Sequence, residues 1–113
     1  MLTNYELEEI AKFIAKTWYG FAVLIRNIVE QADEEGRDCD EAVDKILTRV
    51  SELIHKHIDE ETGGVKTDIF NSDTFVHLLD TTMEAVEAEN RFEKKVYMDA
   101  VEEQIRNILI EKF

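Results

Sequence analysis

The stretch TNYELEEIAKFIAKTWYGFAVLIRNIVE, residues 3–30, decides the fold. Thr3 followed three residues later by Glu6 is a capping box, and Leu2 with Leu7 is placed to close a hydrophobic staple around it, so a helix starts here. Wound at 100° per residue, Lys12, Lys16, Gly20, Asn27 and Glu30 fall in a stripe about 80° wide. Phe13, Ile14, Trp18, Phe21, Ala22, Leu24, Ile25, Ile28 and Val29 occupy most of the remaining surface. A surface helix of a bundle needs far less apolar arc. Either the other helices wrap this one, or part of it meets a second copy. Two-fold dimers are the commonest closed oligomers, so a homodimer is expected, with Trp18, Phe21 and Ile25 at its interface. The simplest role for Trp18, Tyr19 and Phe21 is nevertheless core. The helix is expected to run to about Ala32 and to stop in the acidic turn Asp33-Glu34-Glu35-Gly36, where glycine accepts the left-handed conformation.

Working outward, Asp38 with Glu41 repeats the capping pattern for a second helix. Val43, Ile46, Leu47, Val50, Ile54 and Ile58 then recur every three or four residues until Thr62-Gly63-Gly64 ends the run, which makes the first two helices a hairpin. Val65 to Asn71 reads as a loop that tucks Ile69 and Phe70 onto the core; Val65 to Phe70 is also the lone stretch with any strand character. Asn71 or Ser72 can cap a third helix with an inward face of Phe75, Leu79, Met83 and Val86. Asn90 with Glu93 offers a cap for a fourth, carrying Phe92, Val96, Tyr97, Val101, Ile105, Ile108 and Leu109. No Gly or Pro separates helices three and four, so the cap alone favours a break at Asn90 over one long helix. The expected fold is all-α: a small bundle of three or four helices in one domain over residues 1–113.

Composition agrees. The 113 residues include no Pro, one Cys and 44% hydrophobic side chains, enough to bury a core without staples. A single thiol, Cys39, cannot form an internal bridge, which fits a reducing compartment and predicts a cytoplasmic protein. The opening residues lack the basic region of a secretory signal, and Glu6, Glu8 and Glu9 oppose a mitochondrial presequence. Lys16 and Arg26 interrupt the richest apolar stretch, so no membrane anchor is expected.

Twenty-six acids against thirteen bases give a formal charge of −13. That surplus repels nucleic-acid and anionic lipid surfaces. It is also uneven. Residues 1–29, 45–66 and 90–113 are each neutral, whereas 30–44 carry −7 and 67–89 carry −6. The first block is Glu30, Asp33, Glu34, Glu35, Asp38, Asp40, Glu41 and Asp44 against Arg37. The second is Asp68, Asp73, Asp80, Glu84, Glu87 and Glu89 with no base. Helix macrodipoles account for Asp38, Asp40, Glu41 and Asp73. They do not account for Asp80, Glu84 and Glu87, which lie opposite the Phe75–Val86 stripe without lysines at the i, i+4 positions.

This pattern predicts a non-catalytic interaction protein that docks an acidic helical surface onto a basic protein, itself a candidate nucleic-acid binder. Asp80, Glu84 and Glu87 are the first expected contacts, with Glu34, Glu35 and Asp40 second. In size, helicity and acidity the chain resembles small phage-encoded inhibitors of restriction or CRISPR machinery, a resemblance resting on the charge blocks at 30–44 and 67–89. It implies mimicry of nucleic acid. Carboxylates three or four residues apart are about 4.5–6 Å apart along a helix, sparser than the roughly 1.7 Å per charge of duplex DNA, so mimicry is expected to require both blocks and a dimer. A structural or adaptor subunit assembling through the apolar face of helix one is the alternative.

Site chemistry offers less. Glu52-Leu-Ile-His55 is an E-x-x-H, but with Val43 at 0° Glu52 falls near 180° and His55 near 120°, outside an apolar stripe running from about 280° to 60°. His57, near 320° on the same scale, reads as a core or interface residue. His77, Asp80 and Glu84 form an outward row able to hold a divalent ion weakly. Placing Gly36 at the sixth position of a calcium loop puts Gln31 first and Ala42 last, which rejects an EF-hand. All-helical nucleotide pyrophosphatases carry E-E-x-x-E and E-x-x-D; Glu41-Ala-Val-Asp44 fits the second, but Glu34-Glu35 completes no first, leaving a metal-dependent hydrolase as a remote alternative. Asp38 and Asp40 disfavour a Cys39 thiolate. No catalytic, metal or cofactor residue is assigned.

Overall fold

The computed structural model describes residues 2–63 and 70–113, apart from the side chain of Ser72. The described residues form four helices and no strand: α1 Asn4–Glu35, α2 Asp40–Thr62, α3 Ser72–Glu87 and α4 Arg91–Lys112. Thr3 caps α1, its hydroxyl accepting the Glu6 N–H at 3.1 Å. The helix outruns its expected end by three residues. Gly36 stops it at φ 66°, with Gly36 N–H donating to the Asp33 carbonyl and Arg37 N–H to that of Ala32, the paired bonds of a Schellman turn. At 1.5 Å per residue its 32 residues span about 48 Å, matching the 49 Å long axis of the molecule.

The start of α2 differs from expectation. Cys39 occupies the cap position at φ −107°, ψ 1° and makes no side-chain bond there. Asp38 sits one residue too early, so its carboxylate accepts the Asp40 N–H two residues on, closing a local turn instead of a capping box. The third and fourth helices are separate. Ala88 is extended, and Asn90 Oδ1 accepts the Glu93 N–H at 2.9 Å; Asn71 does the same for Thr74 at 2.8 Å. Such caps are worth about 1 kcal/mol each, enough to fix a break that no Gly or Pro imposes.

The centre of the bundle is α1. It packs against α2, α3 and α4, and α3 also packs against α4; among the described residues α2 has α1 as its only backbone neighbour. This wrapping accounts for much of the wide apolar arc, while Phe13, Leu24 and Val29 stay 40%, 51% and 36% exposed. Trp18 and Ile25 are 1% and 5% exposed inside the chain, and Phe21 is half-buried. Ala11, Ala15 and Ala22 are also buried, small enough to let neighbouring helices approach closely. Val50, Ile54 and Ile58 of α2 and Val101, Ile105 and Leu109 of α4 complete the core with Phe70. Phe70 is thus tucked in as expected, whereas Ile69 and the 65–69 stretch lie outside the described residues.

The inward seam of α3 is rotated from its expected position. Leu78, Thr82 and Ala85 are fully buried, while Phe75, Leu79, Met83 and Val86 are half-buried along one flank. Thr82 tolerates burial because its hydroxyl donates to the Leu78 carbonyl at 2.6 Å. A small Thr/Ala seam suits a helix that meets α1 and α4 together.

Contacts fix the helix directions. Trp18 stacks on Phe75 at 5.5 Å, and Arg26 donates to the Val86 carbonyl, so α3 advances in the same direction as α1. Phe13 stacks on His57 at 3.7 Å, which runs α2 antiparallel to α1 and places His57 at a helix interface. Lys94 lies 4.6 Å over the Tyr19 ring and Arg106 pairs with Glu8, so α4 is antiparallel as well.

Candidate functional site

These directions bring the first acidic block and the later acids of the second toward one end of the molecule, while Asp73 opens α3 near the level of Trp18. The end of α1, the 36–39 turn, the start of α2 and the end of α3 all lie there, and with them Glu30 to Asp44, Glu84, Glu87 and Glu89. Asp80 lies one turn before Glu84 on the same outer face of α3.

Asp80, Glu84 and Glu87 are exposed, as are Glu34, Glu35 and Asp40. Among the described residues, no Lys or Arg pairs with Asp80, Glu84 or Glu87. The first block is partly compensated. Glu30 holds Arg26 at 2.9 Å, Glu35 pairs with Arg37, and Glu41 holds Lys45 at 3.3 Å. Glu34 and Asp40 have no cation partner among the described residues. Of the cations that open α4 at the same end, Lys94 lies over Tyr19 and Lys95 pairs with Asp99 at 3.1 Å, while Arg91 is exposed and forms no ion pair among the described residues. Uncompensated acids therefore stand in both blocks, Asp33, Glu34, Asp38, Asp40 and Asp44 in the first and Asp73, Asp80, Glu84 and Glu87 on α3, and Asp68 lies outside the described residues.

Beside this face, α2 and α3 diverge enough to leave a groove of about 400 Å³. Leu47, Phe75, Val76 and Leu79 supply its apolar lining, with Thr48, Ser51 and Glu52 along the α2 side. Along α2, whose only backbone neighbour among the described residues is α1, Val43, Ile46 and Leu47 are half-buried and Val50, Ile54 and Ile58 fully buried. The apolar periodicity of the separate helices does not reveal this groove. One signal was available: Val76 interrupts the acidic outer stripe of α3, three residues after Asp73 and four before Asp80, and it is 58% exposed.

The other candidates remain dispersed. Glu52 is exposed and pairs with Arg49 at 3.5 Å, and His55 meets the edge of Phe70. His77 is exposed beside Asp80 and Glu84. Among the described residues no three His, Cys, Asp or Glu side chains converge to hold a metal ion, and no helix is long and apolar enough to cross a membrane. No family model, curated protein or solved structure matches the chain.

Proposed function

We propose that this protein acts without catalysis, docking its acidic helical surface onto a basic protein. The observation that carries this reading is that the first acidic block and Glu84 and Glu87 of α3 lie toward one end, with the α3 acids unpaired by any described cation. Surfaces of one sign steer complementary partners and reject like-charged ones, giving association speed and selectivity more than raw affinity. Its sharpest form is an inhibitor that occupies the nucleic-acid site of its target. Carboxylates along a single helix are too sparse to imitate a duplex, but several helix ends in one region raise the local charge density toward it.

Salt tests the proposal. A complex held by this surface is expected to weaken steeply between about 50 and 200 mM salt, as the screening length falls toward 8 Å and below. Binding that is flat across that range overturns the electrostatic reading. A flat response favours a second reading, assembly through α1. That reading draws on the stripe Phe13, Thr17, Gly20 and Leu24, where Phe13 is 40% and Leu24 51% exposed around a shallow depression.

A further inference from the structure

We propose that the α2–α3 groove seats a basic amphipathic helix of the partner protein, an inference that rests on the docking function above and specifies its occupant. Its floor is apolar and has no cover among the described residues: Val76 is 58% exposed on α3, and Leu47, Phe75 and Leu79 are half-buried beside it. Both walls carry acids. On α3, helical spacing sets Asp73 three residues before Val76 and Asp80 four after it, on the same face. On α2, Asp44 and Glu52 stand four residues either side of Thr48, and Glu52 itself lines the groove. Lys45 pairs with Glu41 and Arg49 with Glu52, so Asp44 is the acid of this wall that stands without a cation among the described residues.

An apolar floor between two acidic walls is the complement of a helix with one apolar stripe and flanking Lys or Arg. The apolar side chains would enter the floor, while the basic side chains lay their methylene stems on it and reach the carboxylates on either wall. A second copy of this chain is a poor occupant, since it brings another −13 to an acidic site. Nucleic acid is repelled for the same reason.

Charge alone attracts any cationic peptide, so the test needs a variant for which charge and groove predict opposite signs. Val76→Glu is that variant. It adds a carboxylate at an exposed helical position while interrupting the apolar floor. The probe is a fluorescent peptide of about 15 residues made of Leu and Lys, with Leu at i, i+3, i+4 and i+7, compared with a scrambled peptide of the same composition. Anisotropy titration at about 150 mM salt, near physiological strength, gives both affinities. One patterned peptide is expected to bind per chain, about tenfold tighter than the scrambled one, as expected from apolar burial. Val76→Glu is expected to weaken the patterned peptide about fivefold and to leave the scrambled one unchanged or tighter. Equal binding of the two peptides, with Val76→Glu strengthening both, overturns the groove and leaves the docking function standing. No measurable binding of either peptide overturns both.

Discussion

Replacing Asp80, Glu84 and Glu87 together by lysine is expected to abolish capture of the basic partner while leaving the helical circular dichroism unchanged. The three side chains are exposed and have no cation partner among the described residues, so nothing in the fold depends on their charge. Lysine is at least as good a helix former as aspartate or glutamate, so α3 keeps its propensity. The substitution changes the chain's formal charge by six units and turns an uncompensated acidic row positive. Like charges brought together at an interface cost several kcal/mol, equivalent to a loss of roughly a hundredfold or more in affinity. The comparison is binding at about 50 mM salt, where screening is weakest and retention most favoured. Retained capture by the triple variant would remove α3 from the interface and leave the 30–44 block as the remaining electrostatic candidate.

The largest effect on stability is expected at Trp18. Its side chain is 1% exposed at the junction of α1 with α3, stacked on Phe75, which in turn stacks on Phe70 at 5.1 Å. Trp18→Ala removes this centre and leaves a cavity, at a cost of about 3–5 kcal/mol. Against the roughly 5–15 kcal/mol that holds a domain of this kind, that is a large fraction. Trp18→Phe should cost much less. It retains an aromatic ring against Phe75 and removes the indole Nε1–H, which is buried without a hydrogen-bond partner. Urea unfolding followed by circular dichroism separates the two variants. Repetition at several protein concentrations distinguishes core from oligomer: a midpoint independent of concentration fits burial within one chain, whereas a midpoint rising with concentration signals a folded state that requires a second copy. A Trp18→Ala cost below about 1 kcal/mol would contradict a core role.

Local chemistry made most of the fold legible. Thr3, Asn71 and Asn90 cap their helices through side-chain bonds to the third residue on, and Gly36 and Gly63 terminate helices with positive φ. These signals depend on a few neighbouring atoms and survive whatever the rest of the chain does. The start of α2 was less legible because Asp38 and Cys39 compete for the boundary, and the Schellman turn after α1 settles which residue caps. The phase of α3 was hidden for a different reason. Phe75, Leu79, Met83 and Val86 form the more hydrophobic stripe, yet the close three-way contact with α1 and α4 selects the smaller Thr82 and Ala85 instead.

The candidate site shows the same division. Uneven charge and the exposure of Asp80, Glu84 and Glu87 follow from counting and helical phase. That the 30–44 block lies toward the same end as Glu84 and Glu87 follows from helix direction, which depends on contacts such as Arg26 with Val86 that no local pattern encodes. The groove lies between α2 and α3, and single-helix periodicity carries no information about the spacing between two helices.

The most direct measurement of the docking surface is carboxylate labelling of the free protein and of its complex with the captured partner. Carbodiimide coupling of glycine ethyl ester, read by mass spectrometry, reports each acid separately. Asp80, Glu84, Glu87 and Asp40 are expected to lose reactivity in the complex, while the exposed Glu103 and Glu111 of α4 keep theirs. Unchanged labelling of Asp80, Glu84 and Glu87 in a complex that protects other parts of the chain would contradict the proposed surface.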